Sequence, residues 1–193
     1  MKSITVFCGA SLGKDERFKE QAFTLGQRLA QQKIRLIYGG AKIGIMGAVA
    51  DGALSLGGEV IGVIPAFLKS KEVAHDKLSD LITVQSMHER KAKMNELSDG
   101  VIALPGGFGT LEELFEMLTW AQLGLHSKPI GLLNTAGYYD ALISMIQKMS
   151  EMELLSAQNQ NMLLLSSNMD ELLEKMQNYT APFVPKWISE DTV

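Results

Sequence analysis

The chain has 193 residues, with 18 Lys+Arg against 22 Asp+Glu, so its formal charge is −4 at neutral pH. A domain of this size can bury about 70% of the surface its unfolded chain exposes, enough for one self-sufficient core, and its one cysteine, Cys8, excludes an internal disulfide framework and zinc sites of the CxxC kind. The acidic balance without a basic stripe argues against duplex nucleic acid as a partner, His75, His88 and His126 are too scattered for a helix-borne metal site, and no apolar run approaches the ~18 residues that span a bilayer.

In chain order, the first apolar run, residues 4–7, is too short for a secretion signal and reads as a strand, so a cytoplasmic protein is expected. A helix is expected over 15–32, a strand over 35–38, a helix over 45–56 and strands over 59–64 and 81–84. Helix 87–97, strand 101–104, helix 111–123, strand 130–133 and helix 138–149 follow, with a weaker strand over 162–165. The strands are near-continuous apolar runs, as expected when helices cover both faces of a parallel sheet. These features specify one α/β domain over 1–193, with a single doubly wound, mostly parallel, Rossmann-like sheet. From Asn178 onward, Pro182 and Pro185 mark a C-terminal arm lying over the body or over a partner subunit.

Ligands of such folds sit beyond the carboxyl ends of the strands, which directs attention to the loops after Phe7, Tyr38, Ile64, Val84 and Leu104. The first, Cys8-Gly9-Ala10-Ser11-Leu12-Gly13, has Ser11 where a GxGxxG dinucleotide fingerprint needs its second glycine. The second strand ends in Tyr38-Gly39-Gly40 with no carboxylate for a ribose hydroxyl, so both features count against a nicotinamide cofactor. The loop from Gly39 to Gly47 leads into a helix of small residues, equally compatible with close packing and with ligand contact.

The loop Pro105-Gly106-Gly107-Phe108-Gly109-Thr110 carries the sharpest signal. It follows a strand and opens a helix whose apolar residues Leu111, Leu114, Phe115 and Leu118 recur at helical spacing. Glycines leave backbone N–H groups unshielded, and a helix N-terminus adds unpaired N–H groups with a partial positive charge. Together they make a phosphate cradle. Thr110 and Glu113 also have the spacing of a capping box, which is the competing structural reading. Ser86 and Glu89 have the same spacing one helix earlier, followed by Arg90. A cation is disfavoured in a first helical turn, and Arg90 lies between Met87 and Met94 on the apolar stripe. A guanidinium there needs an anionic partner, for which Glu113, a ligand phosphate and the rim carboxylate Glu89 are the candidates.

Met87-His88-Glu89-Arg90-Lys91 followed by Pro105-Gly106-Gly107-Phe108-Gly109-Thr110-Leu111-Glu112-Glu113 resembles the paired motif of the Lonely Guy family, whose PGGxGTxxE pattern is met in full. The resemblance extends from the first loop through Trp120-Ala121-Gln122-Leu123-Gly124 to Lys128-Pro129-Ile130-Gly131-Leu132-Leu133-Asn134. It implies a Rossmann-like homodimer that hydrolyses the N-glycosidic bond of N6-substituted adenosine 5′-monophosphates, releasing free base and ribose 5-phosphate without a cofactor. By the same resemblance Arg90 and Glu113 are catalytic. Substrate contacts fall on Glu72, Arg90, Lys91, Gly106, Gly107, Phe108, Gly109, Thr110, Leu111, Glu112, Glu113 and Thr119. Helical geometry puts Thr119 on a different face from Glu113, with Glu112 and Glu116. Family members have also been labelled lysine decarboxylases, yet no pyridoxal phosphate site is readable here. The alternative is a nucleotide-binding carrier without catalysis, against which the Arg90/Glu113 pair argues.

Overall fold

The structure, a computed structural model, describes residues 1–69 and 74–182. The central strand β1 (Ser3–Phe7) is buried along its whole length and leads into α1 (Glu16–Gln31), capped by the Asp15 carboxylate accepting from the Arg17 amide at 3.0 Å. There follow β2 (Arg35–Tyr38), α2 (Gly44–Ser55), β3 (Val60–Pro65), β4 (Asp80–Val84), α3 (Met87–Leu97), β5 (Gly100–Ala103) and α4 (Phe108–Gln122). The chain continues through β6 (Ile130–Leu133), a short 3-10 turn, α5 (Asp140–Glu151), the single-turn α6 (Ala157–Gln160), β7 (Leu163–Ser166) and α7 (Met169–Gln177). All strand pairs in the sheet are parallel, in the order β4-β3-β2-β1-β5-β6-β7. This is the doubly wound α/β fold expected from the apolar strands.

Strand residues alternate between two cores because successive side chains leave opposite faces of a sheet. Ile4, Val6, Leu36 and Ile102 pack with residues of α1, α2 and α7 on one face. Phe7, Ile37, Val101 and Ala103 pack with residues of α3, α4 and α5 on the other. Helices α1 and α2 approach closely because both carry glycine at their crossing. A Cβ on Gly52 would stand 2.0 Å from the Phe23 carbonyl oxygen, and one on Gly26 would stand 2.1 Å from that of Val49.

Three expectations change. Helix α4 starts at Phe108 rather than Leu111, with Gly107 as an N-cap that makes no side-chain cap bond. Thr110 is therefore inside the first turn, and the Thr110/Glu113 capping box does not form. Its hydroxyl instead lies over Gly106, where a Cβ would come within 2.1 Å of it. By contrast, Ser86 caps α3 as its spacing suggests, accepting from the Glu89 amide at 3.1 Å. Glu89 reaches back one residue further than a standard box and accepts from the Gln85 amide at 2.6 Å. Helix α5 begins at Asp140, not 138, because residues 135–137 turn through left-handed backbone at Ala136 (φ 55°) and Gly137 (φ 73°). Finally, α6 and α7 lie in a segment expected to hold only a strand. For α7 the signal was present: Asn168 caps it, acidic residues follow in its first turn, and Leu172, Leu173 and Met176 bury its inner face. Of the expected C-terminal arm, residues 178–182 are described, and 183–193 lie outside the described residues.

The α1–α2 crossing supplies a stability test. Gly52→Ala should lower unfolding free energy by about 1–3 kcal/mol in urea denaturation, since overpacking a tight contact forces backbone shifts. An unchanged midpoint would show that the helices can separate freely there.

Candidate active site

The sheet's topological switch lies between β1 and β5, where the chain leaves β1 for α1 on one face and β5 for α4 on the other. A crevice opens at that point. Its floor is stitched by the Gly9 amide donating to the Pro105 carbonyl at 3.0 Å and the Leu104 amide donating to that of Phe7 at 2.9 Å. A cavity of about 300 Å³ lies there, lined by Cys8, Gly9, Gly39, Met46, Arg90, Gly107, Thr110 and Glu113 among others. A more open space of about 480 Å³ shares Gly9, Ala10 and Gly107 with it and is bounded by Ser11, Phe18, Pro105, Gly106 and Tyr138. A larger hollow, about 670 Å³, runs along the outer side of α1 and contains no candidate residue.

Arg90 and Glu113 meet in this cavity. Their exposures are 7% and 8%, and Arg90 Nη1 stands 3.9 Å from Glu113 Oε1. Of the three anionic partners considered for Arg90, Glu89 is occupied by the helix cap and Glu113 is the one it faces. The guanidinium is also fixed from behind, where Nε donates to the Val63 carbonyl at the end of β3 at 3.1 Å. Space for it exists because residue 39 is glycine. A Cβ there would stand 1.9 Å from Arg90 Nη2 and 2.3 Å from Met46 Cε. The Gly39–Gly47 loop, ambiguous in sequence, thus has a definite task at its first residue.

The next residues along both helices pair as well. Lys91, 4% exposed, donates to Glu112 Oε1 at 2.5 Å and to Glu116 Oε1 at 3.0 Å. Lys91 is therefore engaged with α4 rather than directed into the cavity. Glu112 lines the cavity rim while holding this bond. Leu111 is half-buried against the α3–α5 core, and Phe108 is almost wholly exposed. Thr119 is exposed, donates to the Phe115 carbonyl of its own helix at 2.7 Å and stands off the cavity, as helical geometry implies. Glu72 lies outside the described residues.

Burial sets the electrostatics. Desolvation pushes the Glu113 carboxyl up to about 7, with the Arg90 charge pulling the other way and Glu112 and Glu116 adding to the rise. The Cys8 thiol is raised by burial and by the Glu113 charge, so it is a poor nucleophile at neutral pH. Glu113 is thus a carboxyl that exchanges its proton near neutrality, facing a fixed cation. Glu113 stands in the second turn of α4, the helix whose first amides have no intrahelical acceptor. The arrangement can take a proton from a bound molecule and hold an anion a few ångströms away.

Cys8, Gly39 and Met46 wall the cavity from two of the loops that strand position singled out, although none of the three carries a chemical signature that marks it individually. Sequence reasoning left unsearched the loop after β6, whose tyrosine pair Tyr138-Tyr139 reaches the crevice. Loop position, at the carboxyl end of a strand, was the available signal.

Known proteins resemble this chain over most of its length. A family model described as possible lysine decarboxylase matches residues 46–176. A probable cytokinin riboside 5′-monophosphate phosphoribohydrolase of Oryza sativa subsp. japonica is 45% identical over 179 residues, 93% of this chain and 72% of its own. A cytokinin riboside 5′-monophosphate phosphoribohydrolase of Arabidopsis thaliana is 44% identical over 178 residues, 92% of this chain and 84% of its own. Among solved structures, the molybdenum cofactor binding protein from Rippkaea orientalis shares the fold with a TM-score of 0.68 at 24% identity, covering 92% of this chain and 96% of that one. The fold is therefore that of a Rossmann-like α/β protein. The chain belongs to the Lonely Guy family of cytokinin riboside 5′-monophosphate phosphoribohydrolases.

The raised Glu113 carboxyl has a consequence for stability. The folded state holds this proton up to about pH 7, against the ordinary value of 4.5 in an unfolded chain. Between those values the native protein binds more protons, so stability falls as pH rises through that window and levels off above it. Across it, Glu113→Gln should remove a loss on the order of 3 kcal/mol, measured by denaturation at pH 4.5 and pH 8. Parallel curves for the two proteins would place the Glu113 carboxyl in the ordinary range.

Proposed function

We propose that this chain hydrolyses the N-glycosidic bond of adenosine 5′-monophosphates bearing an N6 substituent, yielding the free base and ribose 5-phosphate. The observation that carries the reading is the buried Arg90–Glu113 pair facing an amide-rich helix start in one crevice, in a chain of this family. The amides of residues 106–110 hold the 5′-phosphate. This grip serves rate as well as affinity, because binding energy remote from the bond can hold the ribose in its reactive geometry.

Cleavage breaks the bond between the anomeric carbon and the purine nitrogen, and the electron pair leaves with the base, which takes up a proton from solvent to become the neutral free base. The sugar gains oxocarbenium character. Water adds to the anomeric carbon and gives its proton to Glu113, whose carboxylate also faces the positive charge on the ribose. A carboxyl poised near 7 suits that exchange. Arg90 keeps Glu113 ionised at the moment of need and shields negative charge on the departing base. No cofactor takes part in these steps. Lys91 aligns α3 with α4 through its pair with Glu112 and Glu116. Leu111, Glu112, Thr119 and Glu72 are assigned to the substrate by the family pattern alone. The same resemblance supports a cytoplasmic homodimer, and no helix among the described residues is long and apolar enough to cross a membrane.

The test is chromatographic detection of free base after mixing the protein with adenosine monophosphate, its N6-isopentenyl derivative and the matching nucleosides. Base should appear from the monophosphates and scarcely from the nucleosides. Glu113→Gln should reduce turnover by two or more orders of magnitude while nucleotide binding survives. Binding without release of base would identify a carrier instead. In the wild-type protein, kcat/KM should rise with pH through about 7 and then flatten, since the carboxylate is the working form. A profile flat from pH 5.5 to 8.5 would exclude Glu113 as proton acceptor.

A further inference from the structure

The connection from β6 to α5 reaches the phosphate loop at the open space beside the Arg90–Glu113 cavity. Its shape is fixed locally: the Tyr139 amide donates to Asn134 Oδ1 at 2.8 Å, and Asn134 Nδ2 donates to Asp140 Oδ1 at 2.7 Å. The turn delivers two consecutive tyrosines to the end of β5. Tyr139 donates its hydroxyl to the Leu104 carbonyl and Tyr138 to the Gly106 carbonyl, each at 2.6 Å. Between them, the Pro105 carbonyl accepts from the Gly9 amide at 3.0 Å. Three consecutive carbonyls are thus tied to three different groups.

A trans peptide unit is flat, and its C=O and N–H point in opposite directions. Fixing a carbonyl therefore aims the following amide. The Leu104 carbonyl precedes proline, which has no N–H, so the Tyr139 bond anchors the chain without aiming a donor. The Pro105 carbonyl, held by Gly9, sets the Gly106 amide. The Gly106 carbonyl, held by Tyr138, sets the Gly107 amide. Beyond that, the amides of Phe108, Gly109 and Thr110 belong to the first turn of α4 and are directed by the helix itself. Gly107 needs the help, because a glycine has the widest freedom of backbone rotation and no Cβ contact restrains it: a Cβ at that position would meet nothing within 4 Å.

Tyr138 is well placed for the task. Its ring is held edge-on by Phe18, with centroids 5.4 Å apart, and by Tyr139 at 4.8 Å. It is 46% exposed, whereas Tyr139 is 2% exposed and part of the core. Loss of the Tyr138 hydroxyl would therefore free one peptide plane without opening a cavity.

We infer that Tyr138 is a positioning residue for the substrate's 5′-phosphate, acting through the Gly106–Gly107 peptide and touching no reacting atom. The inference rests on the hydrolase reading above and adds a determinant outside the family's loop motif. Its test is Tyr138→Phe, with ribose 5-phosphate binding measured by calorimetry, adenosine measured as a competitive inhibitor, and hydrolysis of the monophosphate followed in parallel. The dissociation constant for ribose 5-phosphate should rise roughly three- to tenfold, the range expected for one lost hydrogen bond. The value of kcat/KM for the monophosphate should fall by a similar factor. Adenosine, which lacks the phosphate, should inhibit as before, and the melting temperature should stay within about 2 °C. Unchanged ribose 5-phosphate binding, or equal weakening of adenosine, would overturn the inference while leaving the hydrolase reading intact. A wild-type protein that neither binds ribose 5-phosphate nor releases base would overturn both.

Discussion

The contact between the Arg90 guanidinium and the Glu113 carboxyl constrains more of this molecule than any other. Two opposite charges, each more than nine-tenths buried, lose most of their hydration, and a gap of 3.9 Å recovers only part of it. The surroundings compensate. The Val63 carbonyl takes one guanidinium proton, and the absent side chain at Gly39 leaves room for the rest of the group. On the adjoining residues, Lys91 meets Glu112 and Glu116, so α3 and α4 are matched by two neighbouring ionic contacts. A loose first contact beside a tight second one leaves Glu113 with an easily exchanged proton, where a close bidentate pair would have held it firmly ionised.

That pair is useful only because of where the sheet puts it. Arg90 comes from the helix following β4, Glu113 from the helix following β5, and the glycine that seats Arg90 from the end of β2. Parallel strands deliver all these ends to one edge, and the reversal of strand order beside β1 opens the crevice between them. The first turn of α4 contributes its amides from the same edge. Helix α4 thus contributes both the amides that favour an anion and, in its second turn, the carboxyl that faces the fixed cation on α3.

Thr110 illustrates how local spacing misleads. Four residues with Thr and Glu at the ends are compatible with a capping box, but the box requires the helix to begin at Thr110. Gly107 ends the preceding loop three residues earlier, so Thr110 turns inward and Glu113 is released to the cavity. The same spacing at Ser86 and Glu89 does cap a helix, because no glycine run precedes it. Arg90 was legible as a misplaced charge: a cation in a first turn, on an apolar stripe, must have a partner. Tyr138 was not, since its bond to Gly106 joins residues 32 positions apart through a turn with left-handed backbone.

The order of strands and helices, the parallel character of the sheet, the glycine loop before α4 and the need for a partner to Arg90 follow from the chain's own pattern. Hydrophobic periodicity, turn residues and charge placement are local properties, and a linear sequence displays them directly. Which carboxylate meets Arg90, that Gly39 makes room for it, that Lys91 turns away to α4 and that two tyrosines brace the glycine loop were decided only in three dimensions. Those relations depend on distances between strand ends that are adjacent in the sheet but remote along the chain, and on burial, which no residue possesses until its neighbours have packed around it.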